Sequence, residues 1–178
     1  MKPDGKGWLS GVRHLASPNC DARPARVAIN MLVIHNISLP PNEYGGEAIS
    51  QFFTNTLNHS IHPYFEQLKG VKVSSHFLVR RDGRVIQFVP CNKRAWHAGV
   101  SIWRERERCN DFSIGIELEG SDFEPFTERQ YVALARLTRR LKRIYPIRDI
   151  VGHSDIAPNR KTDPGIHFDW EGYFSRIG

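Results

Sequence analysis

The sequence predicts an α/β fold (mixed α+β), a single central mixed β-sheet flanked by helices. Three observations predict it. The apolar runs VAINMLVI (27–34) and SIGIEL (113–118) have the composition of strands covered on both faces. An Asp-Gly pair at 82–83 lies between two further apolar runs, a strong hairpin signal. Leu134, Leu137, Leu141 and Ile144 then recur at helical spacing, the stripe of a helix lying on a core. Strands and helices mixed along one chain in this way pack as one sheet with helices against it.

The elements follow in order. Residues 1–26 mix Gly, Pro, Asn and charge and read as an irregular lead-in. Val27–Ile34 is the first strand and ends at His35-Asn36, and the end of a buried strand is where sheets commonly present ligands and catalysts. Residues 36–70 hold Pro40-Pro41-Asn42, Gly45-Gly46 and His62-Pro63 and read as irregular, with a short helix at Ala48–Thr54 that puts Ile49, Phe52 and Phe53 on one face. So long a stretch is either a functional loop or lid, or an excursion of the scaffold. Val73–Val79, the turn Arg81-Asp82-Gly83 and Val85–Val89 form the hairpin, and 91–110 is a connector carrying Trp96-His97-Ala98-Gly99. Along Ser113–Leu118 the period of two sets Ile114, Ile116 and Leu118 against Gly115, Glu117 and Glu119. A face of one glycine and two carboxylates is a poor core face and a plausible cleft floor. Thr127 caps the long helix, basic residues cover its other sides, and Pro146 stops it. Ile147–Val151 is a short strand running into Gly152-His153, Ser154–Gly165 is a polar loop, and a helix at Trp170–Ile177 closes the chain.

Length and charge narrow the class. The 178 residues suit one domain, 1–178, and the net charge of +6 points to an anionic partner. The longest near-apolar run, Val27–Ile34, is far short of the ~20 residues of a membrane span. The start MKPDGKGWLS has no apolar core, so no secretory signal is expected. Three cysteines, Cys20, Cys91 and Cys109, without a C-x-x-C pair, argue against a disulfide framework or a thiolate zinc site and fit a reducing compartment. Arg136, Arg139, Arg140, Lys142 and Arg143 read as the solvated side of the long helix, since no nucleic-acid-binding motif accompanies them.

Three clusters could carry chemistry: His35-Asn36, Glu117 in its apolar strand, and GHSDIAPNRKTDPG at 152–165 with His153, Asp155, Lys161 and Asp163. Catalytic zinc takes three nitrogen or oxygen ligands and keeps one position open, and His35, His153 and Asp163 would make such a set. Glu117 could then move a proton and Lys161 could stabilise an oxyanion. The chain has no H-E-x-x-H, and His59, His62, His76, His97 and His167 are rival ligands, so spacing alone leaves the set open.

VIHNISLPPNEYGG, HPYF, VSSHFLVRRDGRVIQFVP, KRAWHAGVSIW, RERCNDFSIGIELEG and VGHSDIAPNRKTDPG occur in this order from about Trp8 to Phe174. Together they resemble the zinc N-acetylmuramoyl-L-alanine amidase and peptidoglycan-recognition-protein family, and within it the cytoplasmic 1,6-anhydro-N-acetylmuramyl-L-alanine amidases. The resemblance implies the fold of that family and one Zn2+ on His35, His153 and Asp163. It implies Glu117 as the carboxylate that activates water and Lys161 as the stabiliser of the tetrahedral intermediate. Asn36, Lys72, Trp96 and Arg108 fall at positions resembling substrate contacts, with Lys72 where an arginine is common. Some relatives have cysteine at the position of Asp163, and members with an incomplete ligand set bind without cutting. The implied reaction splits the lactyl–L-alanine amide of cell-wall turnover fragments, which removes muropeptides that signal β-lactamase induction in some bacteria. The implied partner is a small muropeptide with an anionic stem peptide, which Lys72, Arg108 and Lys161 would face. No nucleic acid, membrane or obligatory protein partner is expected.

Overall fold

Four mutually parallel strands make the centre of the fold in the computed structural model, which describes Gly5 and residues 7–178. Among the described residues the strands are β1 (Arg13–His14), β2 (Cys20–Ala22), β3 (Met31–Ile37), β4 (Phe77–Val79), β5 (Val85–Gln87), β6 (Lys93–Ala95), β7 (Ile102–Trp103), β8 (Arg106–Glu107), β9 (Ser113–Glu119) and β10 (Asp149–Gly152). The α-helices are α1 (Ala48–Phe53), α2 (Pro63–Glu66), α3 (Glu128–Ile144), α4 (His153–Ile156) and α5 (Trp170–Ile177). The main sheet runs β1-β5-β4-β9-β3-β10, with β4, β9, β3 and β10 parallel and β5 antiparallel to β4. This is the mixed, helix-flanked sheet that the sequence predicts.

Alternation along the strands splits the core into layers. Ile34, Ile114, Ile116 and Leu118 meet Leu134, Leu137 and Leu141 of α3 on one side of the sheet. Leu78 and Ile86 meet Phe52 and Phe53 of α1 on the other. Helix α5 lies against α3, where Thr138 Oγ1 and Tyr173 OH are 2.6 Å apart. Thr127 opens α3 with a full capping box: its Oγ1 accepts from Gln130 N at 3.2 Å, and its own N donates to Gln130 Oε1 at 3.0 Å.

Several boundaries differ from the sequence reading. The lead-in is not wholly irregular. Leu9 is fully buried, its amide donates to Gln87 Oε1, and β1 adds an edge to the main sheet beside β5. Strands of two or three residues, held by partners some seventy positions away, carry no periodicity to read. The first long strand begins at Met31 instead of Val27, because Asn30 serves as a joint: its N donates to Phe112 O and its carbonyl accepts from Arg148 N. It continues through His35 and Asn36 to Ile37, since β9 runs beside it as far as Glu119. Of Val73–Val79 only Phe77–Val79 is strand, because Ser74 N donates to Trp96 O. The 91–110 connector contains β6, β7 and β8, and the 154–165 loop begins within the short helix α4.

Beyond the core, one buried ion pair ties the sheet to the 36–70 segment. Arg80 Nε and Glu119 Oε2 are 3.2 Å apart, with side chains 4% and 2% exposed. Glu119 also accepts from the amides of Gly45 and Arg81, and Arg80 Nη2 donates to Gly46 O. Removing one charge leaves the other buried and unpaired, which costs roughly 3–5 kcal/mol. Glu119→Gln is therefore expected to lower stability by about that amount in urea unfolding, at unchanged m-value, if the pair holds the segment as described.

Candidate metal centre and active site

The carboxyl ends of the parallel strands converge on one edge of the sheet, the place where open α/β sheets bind ligands. His35 of β3 stands in register with Glu117 of β9. His153 follows β10 directly as the first residue of α4. Asp163 returns to the same point, held by Ser154 N donating to Asp163 O at 2.9 Å. Three atoms meet there: His35 Nδ1 lies 3.0 Å from His153 Nδ1 and 2.9 Å from Asp163 Oδ2, and His153 Nδ1 lies 3.1 Å from that oxygen.

This triangle tests the fit for a metal. The two imidazoles are buried and the carboxylate nearly so. Each Nδ1 brings at most one hydrogen, so two hydrogens cannot satisfy three contacts. A cation shared by all three atoms can. Ligands about 2.0 Å from a tetrahedral zinc stand about 3.3 Å from each other, close to the spacing seen here. Protonation states agree. Burial holds His35 below the usual histidine range, which keeps it neutral. Burial would raise the Asp163 carboxyl, but its contacts with the two imidazole rings outweigh that and hold it well below the ordinary carboxylate range. Neutral imidazole and ionised carboxylate are the ligating forms.

Glu117 supplies a different group beside the triangle. It is 8% exposed, and its Oε2 is buried without a hydrogen-bond partner. Burial, reinforced by the Asp163 charge and opposed by Lys161, pushes its carboxyl well above the usual range. Both Glu117 and Lys161 line a cleft of about 420 Å³, together with the triangle residues. Apolar side chains from the 36–70 segment, Leu39, Phe52, Phe53, Tyr64 and Leu68, form one wall. The arrangement offers a cation seat, a proton-transfer group and an ammonium beside an apolar wall, which suits hydrolysis of a polarised carbonyl.

The other residues singled out in the sequence divide. Asn36 lines the cleft, and its Nδ2 donates to Asp122 Oδ1 at 2.7 Å and Pro164 O at 3.1 Å, so its amide oxygen is the group left to offer a ligand. Trp96 lines it too. Lys72 and Arg108 are exposed and are not among the lining residues; Arg108 pairs with Asp111 at 3.3 Å and borders a separate groove with Val100 and Pro158. His76 is buried, accepts from Gly115 N at Nδ1, and has Arg23 Nη2 at 3.0 Å and Lys93 O at 3.1 Å from Nε2. Of the alternation-defined floor, only Glu117 lines the cleft; Glu119 is turned into its ion pair. Asp122 and Ser113 are polar contributors that the sequence reading missed. Asp122 carried a signal, an acid shortly beyond a buried strand end.

Comparison with known proteins finds similar sequences and structures. The profile of the N-acetylmuramoyl-L-alanine amidase family matches residues 25–166. The 1,6-anhydro-N-acetylmuramyl-L-alanine amidase AmpD of Escherichia coli (strain K12) is 54% identical over 167 residues, covering 93% of this chain and 91% of that protein. A crystal structure of a selenomethionine AmpD derivative is similar with a TM-score of 0.95 and 49% identity over 100% of both chains. The amidase AmiD from E. coli, solved as a complex with the substrate anhydro-N-acetylmuramic acid-L-Ala-D-gamma-Glu-L-Lys, is similar with a TM-score of 0.62 and 33% identity over 86% of this chain and 60% of that one.

Proposed function

The chain belongs to the N-acetylmuramoyl-L-alanine amidase family, and from that premise we propose that it works with one Zn2+ held by His35, His153 and Asp163. The enzyme hydrolyses the amide between the lactyl group of 1,6-anhydro-N-acetylmuramyl peptides and L-alanine, a reaction of peptidoglycan recycling. The observation that carries the metal reading is the convergence of three ligand atoms within 3.1 Å of each other, in the cleft that Glu117 and Lys161 also line.

Bound in that seat, Zn2+ supplies a Lewis acid and brings the pKa of water down to roughly 7. The chain's own residues do the rest. Glu117 takes the proton of the attacking water on its unpartnered Oε2 and passes it to the alanine nitrogen as the C–N bond breaks. Its raised pKa suits both directions of transfer. The Lys161 ammonium balances charge gathering on the carbonyl oxygen. Asn36 Oδ1 accepts from a substrate N–H, and Trp96 with the apolar wall seats the sugar. Lys72 and Arg108, outside the cleft, reach only a stem peptide that extends beyond it. We read residues 1–178 as one catalytic unit. We place it in the cytoplasm, where the three free thiols Cys20, Cys91 and Cys109 persist. Among the described residues no helix is long and apolar enough to cross a membrane.

Lys161→Met is expected to lower kcat by roughly 10²–10³-fold with zinc content unchanged, as for loss of one oxyanion partner. Steady-state kinetics with metal analysis checks it. The substrate assignment is tested by offering soluble anhydromuramyl-tripeptide and intact sacculi in parallel and separating the products by mass. The soluble fragment is expected to be split faster by a wide margin. Preference for sacculi would make the protein a wall-lytic amidase instead.

A further inference from the structure

We infer that His97 and Ser113 set the tautomer of His35 and so act as positioning residues of the metal centre; the inference rests on the metal site proposed above. The relay of hydrogen bonds starts at a carbonyl, which can only accept. Ser113 Oγ donates to Cys109 O at 2.6 Å, which commits its single hydrogen. At 3.1 Å from His97 Nε2 the same hydroxyl must then accept, so His97 carries its hydrogen on Nε2. His97 Nδ1 is therefore a bare lone pair, and at 2.9 Å from His35 Nε2 it accepts in turn. His35 thus carries its hydrogen on Nε2 and presents a bare Nδ1 to His153 Nδ1 and Asp163 Oδ2. A backbone carbonyl sets His153 the same way: its Nε2 lies 3.0 Å from Ala98 O, which also accepts from Arg160. Outer hydrogen bonds of this kind orient metal-binding histidines and govern their affinity.

The scaffold holds His97 for this task. Asn110 Oδ1 accepts from the amides of His97 and Ala98 at 3.2 and 2.9 Å. The His97 ring occupies the space above Gly115 of β9, where an added Cβ would come within 2.5 Å of the ring Cγ. Glycine inside a buried strand is otherwise a weak choice, and here it makes room for the imidazole. If His97 were lost, the His35 Nε2–H would be buried without an acceptor. The hydrogen would then do better on Nδ1, facing Asp163, in the seat of the metal.

The test measures zinc affinity by chelator competition for wild type, His97→Leu, His97→Asn, Ser113→Ala and Gly115→Ala. Alongside it, long-range 1H–15N spectra of the metal-free wild type report the His35 tautomer. His97→Leu is expected to weaken zinc binding by roughly 10–100-fold. His97→Asn, whose amide oxygen replaces Nδ1 as the acceptor for His35 Nε2–H, restores most of that loss. Ser113→Ala, which frees the His97 hydrogen to move, and Gly115→Ala, which displaces the ring without removing a hydrogen-bonding group, both weaken binding. The metal-free wild type shows His35 protonated on Nε2. Zinc bound by His97→Leu as tightly as by wild type, or His35 protonated on Nδ1, would overturn the inference. If His97→Leu does not fold, the wild-type tautomer and the zinc affinity of Ser113→Ala decide between the same two outcomes. A wild type that binds no zinc would sink the metal site itself, which is a different failure from that of the relay.

Discussion

Glu117→Gln is expected to lower turnover by roughly 10²–10⁴-fold while the protein keeps its zinc, the loss typical of a proton-transfer group removed. The side chain keeps its shape, and Glu117 is not one of the three ligands, so metal content should not change. The same substitution should raise the stability of the metal-free protein. Burial pushes the Glu117 carboxyl well above its ordinary range, which is roughly 4.3 in an unfolded chain. Between the unfolded and native values the folded state holds a proton that the unfolded state has released. Metal-free stability therefore falls as pH rises through that window. Glutamine removes the dependence, so at neutral pH the metal-free variant melts higher than metal-free wild type. Catalysis has the opposite sign: only the ionised carboxylate takes a proton, so kcat/KM falls on acidification. An unchanged rate in Glu117→Gln would remove Glu117 from its role, and an unchanged melting temperature would remove the buried-charge account.

Asp163→Asn is expected to abolish both zinc retention and activity. Asp163 Oδ2 is the one anionic corner of the triangle, 2.9 Å from His35 Nδ1 and 3.1 Å from His153 Nδ1. The two imidazoles outweigh the burial that opposes its charge, so it stays ionised throughout the working pH range. Asparagine preserves volume but offers only a neutral oxygen, and two neutral imidazoles are a poor seat for a dication. Metal analysis after dialysis, beside the rate, checks this. A variant that retains one zinc per chain and cuts at the wild-type rate would show that the metal sits elsewhere.

Helices α3 and α5 were legible because each carries its own signals: the Leu134–Leu137–Leu141 stripe with the Thr127 cap, and the apolar face of Trp170–Ile177. The strands β3 and β9 were legible as apolar runs, but not where they end. The limits of β3 depend on Asn30, which bonds to residues near 112 and 148, and on β9 running beside it to Glu119. The site was less legible. Nothing in the spacing of eight histidines selects His35 and His153, 118 positions apart. They meet because β3 and β10 are parallel neighbours, with Gly152 opposite Ile34. The resemblance to a known family named them where spacing could not. The role of His97 was beyond both routes, because it depends on which way a serine hydroxyl points. Its one trace in the sequence is Gly115, the single glycine in a β-branched run, on the face that turns toward the site.

The most direct test titrates Zn2+ into chelated protein and follows release of the stem peptide from soluble anhydromuramyl-tripeptide. Activity is predicted to rise from near zero to a plateau at one zinc per chain, with cleavage only at the lactyl–L-alanine amide. Full turnover by the chelated, metal-free protein would contradict the account.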